Sequence, residues 1–180
     1  MPLTLDTLRS APDFFAVFDL PRGFPVDRAE LEKRYLELAR LSHPDLAGPE
    51  PEAQVEAIEL SSRLNDAHRT LSDDESRANY LLDLLGGPTR EQDKSLPEGF
   101  LPQIMLTREE LAEAQVEADA ERIIAIESDA QASRAAHLHE IARLFAAPIP
   151  DLAAIRTELN ALRYFQRLLE QVHGSGEERM

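Results

Sequence analysis

From Asp27 to His173 apolar side chains return every three or four positions, and strand signals are nearly absent. Residues three and four apart share one face of an α-helix, so this spacing prescribes amphipathic helices. Ala, Leu, Glu, Gln and Arg dominate the chain, and all are good helix formers. The fold class that follows is all-α.

Breaks in the pattern divide the chain. The aromatic stretch 12–19 reads as one brief helix that packs Phe14, Phe15 and Phe18, and Leu20–Pro25 is rich in turn residues. Asp27 with Glu30 forms a capping box for a helix over 28–41. Leu31, Tyr35, Leu38 and Leu41 make its buried stripe, and Lys33, Arg34 and Arg40 lie on its other side. Pro44 stops that helix. Gly48, Pro49 and Pro51 keep the next residues in a loop. A second helix over 52–71 then turns Ala57, Leu60, Leu64, Ala67 and Leu71 inward. Ser72 with Glu75 reads as another capping box, opening a shorter helix to about Leu85 that Gly86-Gly87-Pro88 ends. Two antiparallel helices with short flanking helices make one unit over 10–85.

Residues 86–99 read as a linker, and residues 100–173 as a second helical unit. Its helices are expected at 101–116, 118–147 and 151–173, a three-helix bundle. Residues 107–147 contain neither Pro nor Gly, so one long helix there is an open alternative. Thr107 with Glu110, Asp119 and Asp151 are capping candidates, and Pro148 and Pro150 force a reversal. The polar tail from Gly174 is expected to fray.

Charge and composition exclude several functions. Residues 1–80 carry sixteen acids against nine bases, and residues 81–180 eighteen against ten. The net charge of −15 repels phosphate backbones and anionic lipids, which argues against nucleic-acid and membrane partners. There is no cysteine, hence no disulfide, thiolate ligand or thiol nucleophile. No basic region precedes an apolar core at the N-terminus, and no apolar run is long enough to span a bilayer. A soluble cytoplasmic protein is expected.

No catalytic constellation emerges. His137 and His139 are two apart on a helix, so they diverge and make a poor metal pair. His68 lies near the inner face of its helix and reads as structural. Acid pairs such as Glu109-Glu110 sit on a solvated face, and no phosphate loop, HExxH or GxSxG is present. No enzyme activity, cofactor or bound metal is expected. His43-Pro44-Asp45 remains. A turn needing only a stop would use glycine, whereas here a rigid proline stands between two polar side chains beside a basic helix face.

With that tripeptide placed between two antiparallel helices, residues 12–85 resemble a J domain. Arg77-Ala78-Asn79-Tyr80-Leu81-Leu82 is similar to a segment of the HscB family, J-type co-chaperones of iron–sulfur cluster assembly. Phe100-Leu101 and Arg108-Glu109-Glu110-Leu111 resemble the opening of that family's C-terminal domain, and Leu162-Arg163-Tyr164-Phe165 its last helix. The resemblance implies that His43, Pro44 and Asp45, with Lys33, Arg34 and Arg40, meet an HscA-type heat-shock chaperone and stimulate its ATPase. It further implies that Leu101, Pro102, Met105, Leu106, Glu109, Glu113 and Tyr164 bind the scaffold protein IscU. Three positions depart from the family pattern. Pro102 replaces a usual methionine and Leu106 a usual glutamate, making the patch more apolar, and Leu46 replaces a common lysine. A J-domain co-chaperone with another client, and a helical interaction module with an accidental HPD, are the alternatives.

Overall fold

The computed structural model of the chain describes residues 4–43, 48 and 50–177, with side chains to 174. Every regular element among them is a helix, as the apolar period requires. They are α1 (Leu5–Ser10), α2 (Phe14–Val17), α3 (Arg28–Leu41), α4 (Pro51–Ser72), α5 (Asp74–Leu84), α6 (Phe100–Glu117), α7 (Ala120–Phe145) and α8 (Leu152–Glu177). The chain divides into two compact units, Met1–Leu81 and Leu82–Met180. Among the described residues no helix is long and apolar enough to cross a membrane.

The first unit is built on α3 and α4. Leu31 and Leu38 of α3 face Leu60, Leu64, Ala67 and Leu71 of α4, and Leu8, Phe15, Val17, Phe18 and Ala78 are among the other residues buried with them. Asp27 caps α3 by accepting hydrogen bonds from the Ala29 and Glu30 amides. Glu30 does not return the bond; its carboxylate turns to Arg34 at 2.7 Å and Lys33 at 3.4 Å. Leu41, expected in the buried stripe, is 44% exposed. A step of three residues advances about 300° around the axis, so Leu41 stands about 60° away from Leu38. His68 is structural: its ring stacks on Tyr35 at 4.1 Å, and its Nε2 lies 2.9 Å from Glu32.

The expected cap of α5 is corrected. The cap of α5 is Asp73, which accepts from the Ser76 amide at 2.7 Å, while Ser72 donates back to the His68 carbonyl. Helix α1 had no sequence reading at all. Thr4 caps it, Leu8 is its one buried residue, and Arg9 ties it to Glu56 of α4. Arg77 closes the unit from inside. Its guanidinium donates to the Phe24 and Leu71 carbonyls and to Asp74.

The second unit begins as α5 ends. The Gly87 amide bonds to the Leu82 carbonyl and the Gly86 amide to that of Asp83, the paired bonds of a Schellman motif. Gly86 takes φ +74°, which is why glycine stands there. Helices α6, α7 and α8 then pack around Phe100, Ile104, Leu111, Ala130, Ala161 and Leu168. The alternative of one helix over 107–147 is settled by Ala118, which adopts φ 55° and ends α6. Asp119 accepts from the Arg122 amide and starts α7. Thr107 is no cap; it lies inside α6 and donates to the Gln103 carbonyl. Asp151 caps α8 through the Ala154 amide. Helix α8 continues past Gly174 to Glu177, because extending an existing helix costs far less than nucleating one.

Candidate functional site

The basic face of α3 is the first candidate surface. Arg34 is partly buried and anchored: Nη1 donates to the Phe18 carbonyl at 2.5 Å and the Asp19 carbonyl at 2.7 Å, and Nε to Glu30. Its guanidinium holds the loop after α2 as much as it faces outward. Lys33 and Arg40 are exposed, as are Leu36 and Leu41, and exposed Glu32 and Glu37 line the same surface, so the face mixes two cations, two carboxylates and apolar side chains. Leu36 escaped the sequence reading. It lies across the helix from Leu38, and a lone exposed leucine carries no signal by itself.

His43 is exposed immediately beyond this helix. Ser42 sets its starting point: buried, it donates to the Leu38 carbonyl at 3.0 Å and accepts at its own carbonyl from Ser61 of α4 at 2.8 Å. The last turn of α3 is thereby pinned to α4 at the edge of the tripeptide. Pro44, Asp45 and Leu46 lie outside the described residues.

The second surface is the outer side of α6. Phe100, Ile104, Leu111 and Ala114 are buried on the inner side. Leu101 (46%), Met105 (55%) and Leu106 (57%) are exposed, and Pro102 is exposed beside them. Glu109 and Glu113 continue the row one and two turns on, with Arg122 3.7 Å from Glu113. Leu101 and Met105 are therefore not bundle core. Tyr164 on α8 joins this end of α6 through Phe100, its ring edge-on at 5.5 Å. An apolar row this exposed, bordered by acids, has the apolar centre and polar border common at protein interfaces.

Among the described residues no three His, Asp or Glu side chains are placed to hold a metal ion. His137 is 2.5 Å from Glu158 and packs against Phe100 and Phe165, a pair inside the bundle.

Comparison with known proteins assigns both units. Residues 13–80 match the DnaJ domain, and residues 96–173 match the HSCB C-terminal oligomerisation domain. The chain is 32% identical over 163 residues to the co-chaperone protein HscB of Proteus mirabilis (strain HI4320), covering 89% of this chain and 93% of that one. The chain belongs to the HscB co-chaperone family. The human iron–sulfur cluster co-chaperone protein HscB is 35% identical over 162 residues, which is 89% of this chain and 67% of its own length. Chaperone HscB from Vibrio cholerae has the same fold, with a TM-score of 0.80 at 26% identity, covering 93% of this chain and 99% of that one. The α3–α4 pair is thus the core of a J domain, and α6–α8 is the HscB C-terminal bundle.

Proposed function

We propose that this chain brings an IscU-type iron–sulfur scaffold to an HscA-type heat-shock chaperone and stimulates that chaperone's ATPase. The observation that carries the reading is the exposed row Leu101, Pro102, Met105 and Leu106 on α6, in a chain that also bears a J domain. Apolar anchors in the middle with Glu109 and Glu113 at the rim match the anatomy of a protein interface. On the J domain, His43, Pro44 and Asp45 act with Lys33 and Arg40 on an acidic chaperone surface. Arg34 contributes mainly by fixing the loop that α3 packs on.

Bond-making is left to the chaperone. The bundle captures the scaffold, the J domain biases the nucleotide site toward hydrolysis, and turnover tightens the chaperone's hold on the scaffold. The chain works by coupling two binding events, with no catalytic residue of its own.

The test is single-turnover ATP hydrolysis by an HscA-type chaperone with wild-type protein and with His43→Gln. Wild type is expected to stimulate hydrolysis, scaffold to raise the rate further, and the substitution to abolish both effects. Pro102 and Leu106, which make the α6 face more apolar than the family pattern, favour one second reading, a J-domain co-chaperone with a different client. Stimulation that added scaffold leaves unchanged would establish that reading instead.

A further inference from the structure

The segment 86–99, which the sequence presents as a plain connector, is strapped to α8. Arg156 and Asn160 stand one turn apart on that helix and are both more than nine-tenths buried. Arg156 Nε donates to the Pro88 carbonyl at 2.9 Å. Asn160 Nδ2 donates to the Asp93 and Ser95 carbonyls, each at 3.0 Å. Three main-chain carbonyls are thus taken by two α8 side chains, which fixes the path of residues 88–95 over the bundle.

The strap forms one side of an open pocket of about 380 Å³. Arg90 and Lys94 stand on it, both exposed and neither in an ion pair among the described residues. Leu96, Asn160 and Tyr164 complete the walls, and Glu91 offsets one of the two positive charges. Asn160 spends its amide hydrogens on the strap, and its Oδ1 is buried without any donor. Buried acceptors left unpaired are uncommon, and this one is closed off from the pocket rather than presented to it.

We infer that this pocket receives an acidic side chain of the partner that docks on α6, Arg90 and Lys94 pairing with its carboxylate. The inference rests on reading the α6 face as the scaffold-docking surface, and Tyr164 belongs to both places. Charge supports it. Residues 109–129 carry eight acids against Arg122 alone, so a carboxylate on the partner is repelled along α6 and α7, whereas the pocket offers Arg90 and Lys94 against Glu91, with Asp93 and Glu98 elsewhere on the strap. The apolar row on α6 holds the partner without fixing its register; a carboxylate held by Arg90 and Lys94 fixes it.

The test titrates an IscU-type scaffold into wild-type protein, the Arg90→Glu/Lys94→Glu double variant and Leu101→Ala. All three substituted side chains are exposed, so melting curves should overlay. The double variant should bind about tenfold more weakly, and its affinity should respond less to salt than that of wild type. Wild-type affinity in the double variant, with Leu101→Ala still weakened, overturns the pocket and leaves the α6 reading standing. Tighter binding by the double variant shows a basic partner group and overturns it as well. Equal binding by all three proteins, or none by wild type, removes the α6 reading and the inference with it.

Discussion

The ring of Tyr164 on α8 stands edge-on to that of Phe100 on α6, their centroids 5.5 Å apart. Phe100 in turn meets Phe165 edge-on at the same distance, so the residue next to exposed Leu101 sits at the centre of an aromatic cluster. Removing the Tyr164 ring should therefore reach the core as well as the surface. Tyr164→Ala is expected to lower unfolding free energy by about 1–2 kcal/mol and to weaken scaffold binding. Tyr164→Phe keeps the ring pair and should unfold in urea like wild type. A Phe variant as unstable as the Ala variant would show that the hydroxyl, not the ring pair, carries the effect.

The exposed row on α6 separates stability from binding. Leu101→Ala and Met105→Ala remove side chains that stand half out of the protein, so each should shift stability by less than about 0.5 kcal/mol. Scaffold affinity should fall by at least about tenfold for Leu101→Ala, the behaviour of an interface anchor. Urea unfolding and calorimetric titration measure the two quantities. A variant that loses several kcal/mol of stability would assign that side chain to the core instead.

Ala118 holds a left-handed backbone conformation at the end of α6, at φ 55°. The Asp119 amide bonds to the Ala114 carbonyl and that of Ala118 to Gln115, so the residue occupies the position glycine usually takes in a Schellman motif. An L-residue there costs about 1–2 kcal/mol, and glycine's extra freedom in the unfolded chain offsets about 0.5–1 kcal/mol of the relief. Ala118→Gly should accordingly stabilise the protein, by up to about 1 kcal/mol in denaturant unfolding. A loss of stability would mean that the alanine methyl makes contacts worth more than the strain.

Asp74 links the first unit to pH. Burial alone would raise its pKa, but hydrogen bonds from Arg77 and Arg28 outweigh burial and hold it below the ordinary carboxylate value. A carboxyl with a depressed folded pKa adds stability that is complete above its unfolded value, about 3.9. That contribution is lost as pH falls through the lower folded value. Asp74→Asn should be less stable than wild type at neutral pH, and the difference should narrow below about pH 4. Urea midpoints measured from neutral to acid pH give the comparison, and a difference constant with pH would refute the assignment.

Much of this architecture is legible because local chemistry and packing agree. The bounds of α3 follow from a capping aspartate before it and a proline three residues beyond it. The inward leucines of α4 were legible, but Pro51, read as a loop residue, is its first residue, where a missing N–H costs nothing. The break at Ala118 was only one of two readings, since no glycine or proline marks it and the strain shows only in the backbone. Asp73 displaced Ser72 as a cap because both are good capping residues and the sequence does not rank neighbours. The basic positions of the α3 face were legible as residue types. That Arg34 is tied to two main-chain carbonyls was not, because carbonyl partners leave no mark in side-chain pattern. The straps from Arg156 and Asn160 were hidden for the same reason.

The anchoring of Arg34 bears on the kinetics of encounter. A cation already satisfied by Glu30 and two carbonyls projects little field into solvent, which leaves Lys33 and Arg40 as the exposed cations of that helix face, beside exposed Glu32 and Glu37. Long-range attraction grows with the number of such charges and is screened within about 8 Å at physiological ionic strength. With so few, on a molecule of net charge −15, the J domain gains little speed from electrostatic steering. On the function proposed above, selectivity for a chaperone is then exercised at contact rather than during approach.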